Sequence, residues 1–183
     1  MIKMVTTEEY KKWLNQKQIH KVKKIDGLDC ALLYEYGIPY MELDFLFFHE
    51  DLCTGEPLTN LYQEENYSEK FFKENKSKIE NYIVLCQFLG SAICLGGDKQ
   101  IWSIDYNDFY TSFVNVSFEE FIEFWIILDG ELGNQRNEHS IKVSHFLVEK
   151  IESEMRKIAL KDWQDYDFWH FILECLDEDA DDF

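Results

Sequence analysis

Apolar positions along the chain repeat at two different spacings, and the changes of spacing mark its elements. From Thr6 to Leu14 the spacing is helical: Tyr10, Trp13 and Leu14 fall on one face. Thr6 and Glu9 have the Ser/Thr-x-x-Glu form in which each side chain bonds the other's backbone N–H, so a capped helix start is predicted here. Gln16 to Lys24 is the most basic stretch of the chain, holding Lys17, Lys21, Lys23 and Lys24, and reads as a solvated turn or helix end. A second short helix is predicted over Asp26 to Tyr36. Gly37 stands where a helix C-terminal glycine belongs and Pro39 blocks continuation.

The period then drops to two. Met41 to Phe45 alternates apolar and acidic residues, the pattern of a half-buried strand. Asp51 to Lys78 is polar and predicts an irregular excursion with little core of its own, anchored by Phe71 and Phe72. Strands follow at Tyr82 to Phe88, Ala92 to Leu95, Gln100 to Ile104 and Tyr110 to Val114. Gly96-Gly97-Asp98 is a hairpin signal between two of them, because glycine reaches the backbone angles of tight turns at low cost. Asp105 to Asp108 marks another turn. A four- or five-stranded antiparallel meander is the simplest arrangement.

The last third returns to helical spacing. Ser117 to Glu120 repeats the capping-box form. Phe118, Phe121, Ile122, Trp125, Ile126 and Leu128 follow at helix period, and Asp129-Gly130 reads as the stop. Further helices are predicted over His139 to Leu160 and Asp165 to Leu176. Asp177 to Asp182 has five acids in six positions, which predicts a frayed, solvated tail over 177–183. The pattern as a whole predicts one domain over 1–183. Its fold class is α+β, a curved, mainly antiparallel sheet packed by N- and C-terminal helices.

Charge narrows the partner. With 36 acids against 18 bases the net charge is −18. Binding to phosphate requires Lys and Arg, so neither nucleic acid nor an anionic membrane is expected as partner. The same charge permits fast, salt-sensitive association with a basic protein, while solubility alone is the blander reading. Five cysteines, without Cys-x-x-Cys spacing, follow a polar start from Met1 to Lys11 that lacks an apolar run. The expectation is buried free thiols in a reducing, cytoplasmic setting.

Candidate chemistry is sparse. Gly96-Gly97-Asp98-Lys99 lacks the spacing of a phosphate-binding loop, and Gly-x-Ser-x-Gly does not occur. His20, His49, His139, His145 and His170 form no His-Glu-x-x-His motif, and His139 and His145 are six apart, which on a helix turns them to different faces. Cys86 and Cys94 lie on apolar strands, where cysteine is commonly buried and inert. No cofactor, no metal and no catalytic residue is expected, although distant residues could still assemble a hydrolase.

What remains is acid interleaved with aromatic residues. Tyr34 to Asp44 is one such cluster, and Trp102, Asp105, Tyr106, Asp108 and Tyr110 form another. Aromatic rings supply anchoring area and carboxylates steer a basic partner, so Tyr40, Glu42, Asp44, Tyr106 and Asp108 are the candidate partner contacts. Trp102 reads as core. Tyr36, Tyr40, Tyr106 and Tyr110 fit either core or surface, because tyrosine is often only partly buried.

Tyr36-Gly37-Ile38-Pro39, Ile93-Cys94-Leu95-Gly96, Ile101-Trp102-Ser103-Ile104-Asp105 and Phe113-Val114-Asn115-Val116-Ser117 followed by Phe118-Glu119-Glu120-Phe121 resemble the SUKH superfamily. The resemblance spans residues 25 to 176 and is strongest to its immunity branch. It implies an α+β fold and a bacterial immunity protein that binds a cognate toxin, often a nuclease, and blocks it by occlusion. It carries no catalytic residues over. Among the matching positions Gly37, Pro39, Trp102, Asp105, Asn115 and Ser117, structural roles follow from the residues themselves: Gly37 and Pro39 shape the entry to the first strand, Asp105 starts a turn and Ser117 caps a helix. Other members of the superfamily are scaffold or regulatory modules, which is the competing reading of the same fold.

Overall fold

The computed structural model describes residues 5–15, 17, 19–20, 30–39, 42–43, 46–47, 57–59, 73–74, 77, 79–88, 90–133, 136–137, 140–141 and 143–178. In chain order these form α1 (Thr7–Leu14), β1 (Ile19–His20), α2 (Ala31–Tyr36), β2 (Ile38–Pro39), β3 (Glu42–Leu43), β4 (Leu46–Phe47), β5 (Tyr82–Phe88), β6 (Ser91–Gly96), β7 (Ile101–Asp105) and β8 (Thr111–Asn115). The C-terminal third continues with α3 (Phe118–Gly133), β9 (Arg136–Asn137), β10 (Ser140–Ile141), α4 (His145–Ile158), a short 3-10 helix (Trp163–Asp165) and α5 (Asp167–Glu178).

The fold is α+β, as the spacing predicts. Strands β3 to β8 lie in one antiparallel sheet in sequential order, with β5 to β8 as its long members. The strand expected over 41–45 is instead the start of a tight hairpin, in which β3 and β4 pair Glu42 with Phe47 and Leu43 with Leu46 along the β5 edge. Two small pairs lie apart from this sheet, β1 with β2 and β9 with β10.

Alternation along the strands feeds two cores. Ile83, Leu85, Ile93, Leu95, Ile101 and Val114 join the larger one, against Tyr10 and Leu14 of α1, Leu33 of α2, Phe121 and Trp125 of α3, Ile151 of α4 and Trp169 of α5. Val84, Ala92, Cys94, Ile104 and Phe109 form the smaller one, closed by Leu58 and Ile79. Both closing residues are helical, so the sheet carries helix on each side. A register shift between Val84 and Cys86 lets Leu85 and Cys86 both enter the larger core, as a bulge does by adding one residue to a strand.

The polar 51–78 stretch therefore contributes more than expected: Leu58 is fully buried and Pro57 bridges to Ile83. Phe71 and Phe72 lie outside the described residues. Helix α2 is described from Ala31, and the expected start at Asp26 also lies outside them. Gly37 ends α2 with φ +85°, a backbone region where a Cβ is strained, and its N–H bonds Leu33 O at 2.9 Å.

Three helix ends differ from expectation. Helix α3 does not stop at Asp129-Gly130 but runs to Gly133, because one more turn carries Leu132 into the core. That burial outweighs the roughly 1 kcal/mol cost of an internal glycine. Helix α4 starts at His145, not His139, since the Ser144 side chain accepts the N–H of Leu147 and residues 140–141 pair as β10 instead. Helix α5 reaches Glu178, so Asp177 and Glu178 are helical; 179–183 lie outside the described residues.

Two polar assemblies fix the helices. Thr6 and Glu9 form the complete capping box on α1. Beyond α1, Lys17 is not a solvated lysine: its ammonium lies 2.7 Å from Asp129 Oδ2, and the Trp13 indole N–H donates to the same oxygen at 2.9 Å. Tyr10, fully buried, donates to Gly37 O. These three bonds dock the N-terminal helix on α3 and the α2–β2 connection.

At the other end of α3, Ser117 accepts the N–H of Glu120 at 3.2 Å, but the Glu120 carboxylate does not close the reciprocal half of a capping box. It is buried and takes four donors instead. Val116 N–H (2.8 Å) and Asn115 Nδ2 (3.2 Å) reach one oxygen, and Leu160 N–H (2.8 Å) and Tyr166 Oη (2.7 Å) reach the other. Asn115 Oδ1 in turn accepts the Trp169 indole N–H at 2.9 Å. Strand β8, helix α3, the segment after α4 and helix α5 thus share one satisfied polar centre.

Candidate partner-binding surface

The β7–β8 connection is built from its own carboxylates. Asp105 Oδ1 accepts the N–H groups of Asn107 (2.6 Å) and Asp108 (3.4 Å), the usual local bonding by which aspartate starts a turn. Asp108 Oδ1 accepts Tyr110 N–H at 2.8 Å. Asp105 N–H donates to Tyr110 O at 3.0 Å and Phe109 N–H to Asp105 O at 3.2 Å, which closes the loop on the strand ends. Phe109 sits at φ +59°, and its ring is buried in the smaller core. That burial holds an otherwise unfavourable left-handed backbone in place.

The consequence is a turn with a buried foot and a polar, aromatic crown. Asn107, Asp108 and Tyr110 are exposed, and Tyr110 keeps 70% of its surface. Tyr106 is different: it is half-buried against the smaller core, with its N–H on Gly90 O at 3.0 Å. Of the two candidate contacts here, Asp108 therefore faces solvent, whereas Tyr106 is mostly a wall of the turn. Tyr110 lies outside the expected contact set yet is the most exposed ring of the cluster. The adjacent pair Phe109-Tyr110 was the available signal, because a turn that swallows one of two neighbouring rings turns out the other.

The other candidate contacts lie on the β3 side. Glu42 begins β3; its side chain, and Tyr40 and Asp44 entirely, fall outside the described residues. Register relates the two regions. Glu42 pairs with Phe47, Phe47 with Gln87, Gln87 with Ala92, Ala92 with Ile104, and Ile104 with Thr111. Glu42 thus shares a row with the last residues before the β7–β8 turn. Four strand spacings separate β3 from β7, roughly 19 Å. Glu42 and the β7–β8 turn thus lie toward the same end of the sheet, on strands four apart.

The residues expected to have structural roles are placed as follows. Pro39 pairs with Ile19 in the small β1–β2 ladder. Trp102 is only half-buried; its indole N–H lies 3.1 and 3.3 Å from the two Asp98 oxygens of the neighbouring hairpin. Gly96 packs closely beneath it: a Cβ there would lie 2.6 Å from Asp98 Oδ1 and 3.1 Å from both the Trp102 and Tyr82 rings, so those side chains would have to shift to admit one. Asn115 and Ser117 serve the Glu120 centre.

Cys30, Cys86 and Cys94 are buried and Cys175 is partly buried, all four outside any disulfide. Burial pushes the Cys94 thiol well above its ordinary pKa, which keeps it protonated and non-nucleophilic. His145 Nδ1 pairs with Asp177 and His170 Nε2 faces Trp163 O, while His49 and His139 lie outside the described residues. Among the described residues, no group of three or more His, Cys, Asp or Glu side chains is arranged to hold a metal ion, and no helix is long and apolar enough to cross a membrane. No family model, curated protein or solved structure matches this chain.

Proposed function

We propose that this chain is a protein-binding module that neutralises a basic cognate toxin by covering its active region, as bacterial immunity proteins do, and that it works in the cytoplasm. The observation that carries the reading is the β7–β8 turn: a crown in which exposed Asp108 and Tyr110 stand on a backbone bonded through Asp105 and anchored by buried Phe109. An aromatic anchor beside a carboxylate on a hydrogen-bonded backbone suits recognition of a basic protein, because less backbone freedom is lost on binding. The net charge of −18 adds long-range attraction for such a partner. The resemblance of the Gly37-Ile38-Pro39 and Phe113-to-Phe121 segments to SUKH immunity proteins supports a toxin as the partner class.

The test is capture from the source organism with the full chain as bait, at low and at high salt. A basic polypeptide that is retained at low salt, and is toxic when expressed alone, is the expected result. Capture only of non-toxic housekeeping proteins would overturn the toxin and favour a scaffold module.

A further inference from the structure

We draw no further inference here: the strongest candidate, the groove between α1 and α3 lined by Val5, Trp13, Lys17, Ile126 and Asp129, has its aspartate already held by Lys17 and Trp13, and nothing in the structure shows what would cover it.

Discussion

A carboxylate taken out of water must find its donors in the protein, and Glu120 finds them in residues from Asn115 to Tyr166. Replacing it by alanine orphans Asn115 Nδ2, Val116 N–H and the Tyr166 hydroxyl proton, while Leu160 N–H keeps Tyr166 Oη as an acceptor at 3.0 Å. An unsatisfied buried donor costs on the order of 1–3 kcal/mol, so Glu120→Ala is expected to lose about 3 kcal/mol in urea unfolding. Glu120→Gln keeps the shape and one acceptor oxygen, and is expected to lose less. Equal stability of Glu120→Ala and the parent chain would contradict the role given to this centre. The buried phenols make a second, independent prediction. Burial, with the proximity of Cys30, raises the Tyr10 pKa, and burial together with the Glu120 bond raises that of Tyr166, both from 10.0. Below pH 10 both states keep these protons and the stabilisation is complete. Above it the unfolded chain ionises first, so stability falls as pH rises toward the folded values. Both groups therefore give a negative slope of stability against pH above pH 10, measurable by urea unfolding at a series of alkaline pH values; a flat profile would contradict the raised values.

At the scale of elements, α1 is held by a few specific contacts: Trp13 and Lys17 on Asp129, and Tyr10 on Gly37. Asp129→Ala leaves a largely buried ammonium and an indole N–H without their acceptor. The amides of Tyr10 to Leu14 are then expected to exchange with solvent at least tenfold faster, while those of β5 and β6 hold. Uniform loss of protection would mean that α1 is not a separately anchored element. The same elements show what could be read from spacing alone. Thr6 with Glu9, the β5 to β8 alternation and the Gly96-Gly97 hairpin are local, so their signals lie within a few residues. Asp129-Gly130 carried an equally local stop signal, but it was overridden by Leu132, whose burial depends on packing that the segment does not encode. Ser117 with Glu120 read as a capping box; the actual partners Leu160 and Tyr166 are 40 and 46 residues away, and no period reports contacts of that range.

For the whole molecule, the acid excess and the fold act together. The sheet places the Glu42 row and the β7–β8 turn at one end, and under the proposed function a basic partner would meet exposed Asp108 there within a field set by the entire chain. Asp108→Lys reverses an exposed charge whose removal costs the turn one local bond, whereas Asp105 and Tyr106 build the turn and are poor probes of binding. The expected effect of Asp108→Lys, and of Glu42→Lys with Asp44→Lys, is slower association with the captured toxin by a few-fold at low salt, shrinking as salt screens the field. Stopped-flow rates at two ionic strengths measure it, and unchanged rates would remove these residues from the interface. Core positions were legible because burial imposes a period on the sequence. A binding face imposes none: Tyr106 and Tyr110 look alike in composition, and only the folded turn sets the first half-buried against the smaller core and leaves the second standing out.

The most direct measurement is growth on co-expression of this chain with the captured basic polypeptide. The account predicts that the polypeptide alone arrests growth, that this chain restores it, and that Tyr110→Ala with Asp108→Lys restores it less while remaining folded. Arrest that this chain does not relieve, with the two proteins expressed at comparable levels, would contradict neutralisation as its function.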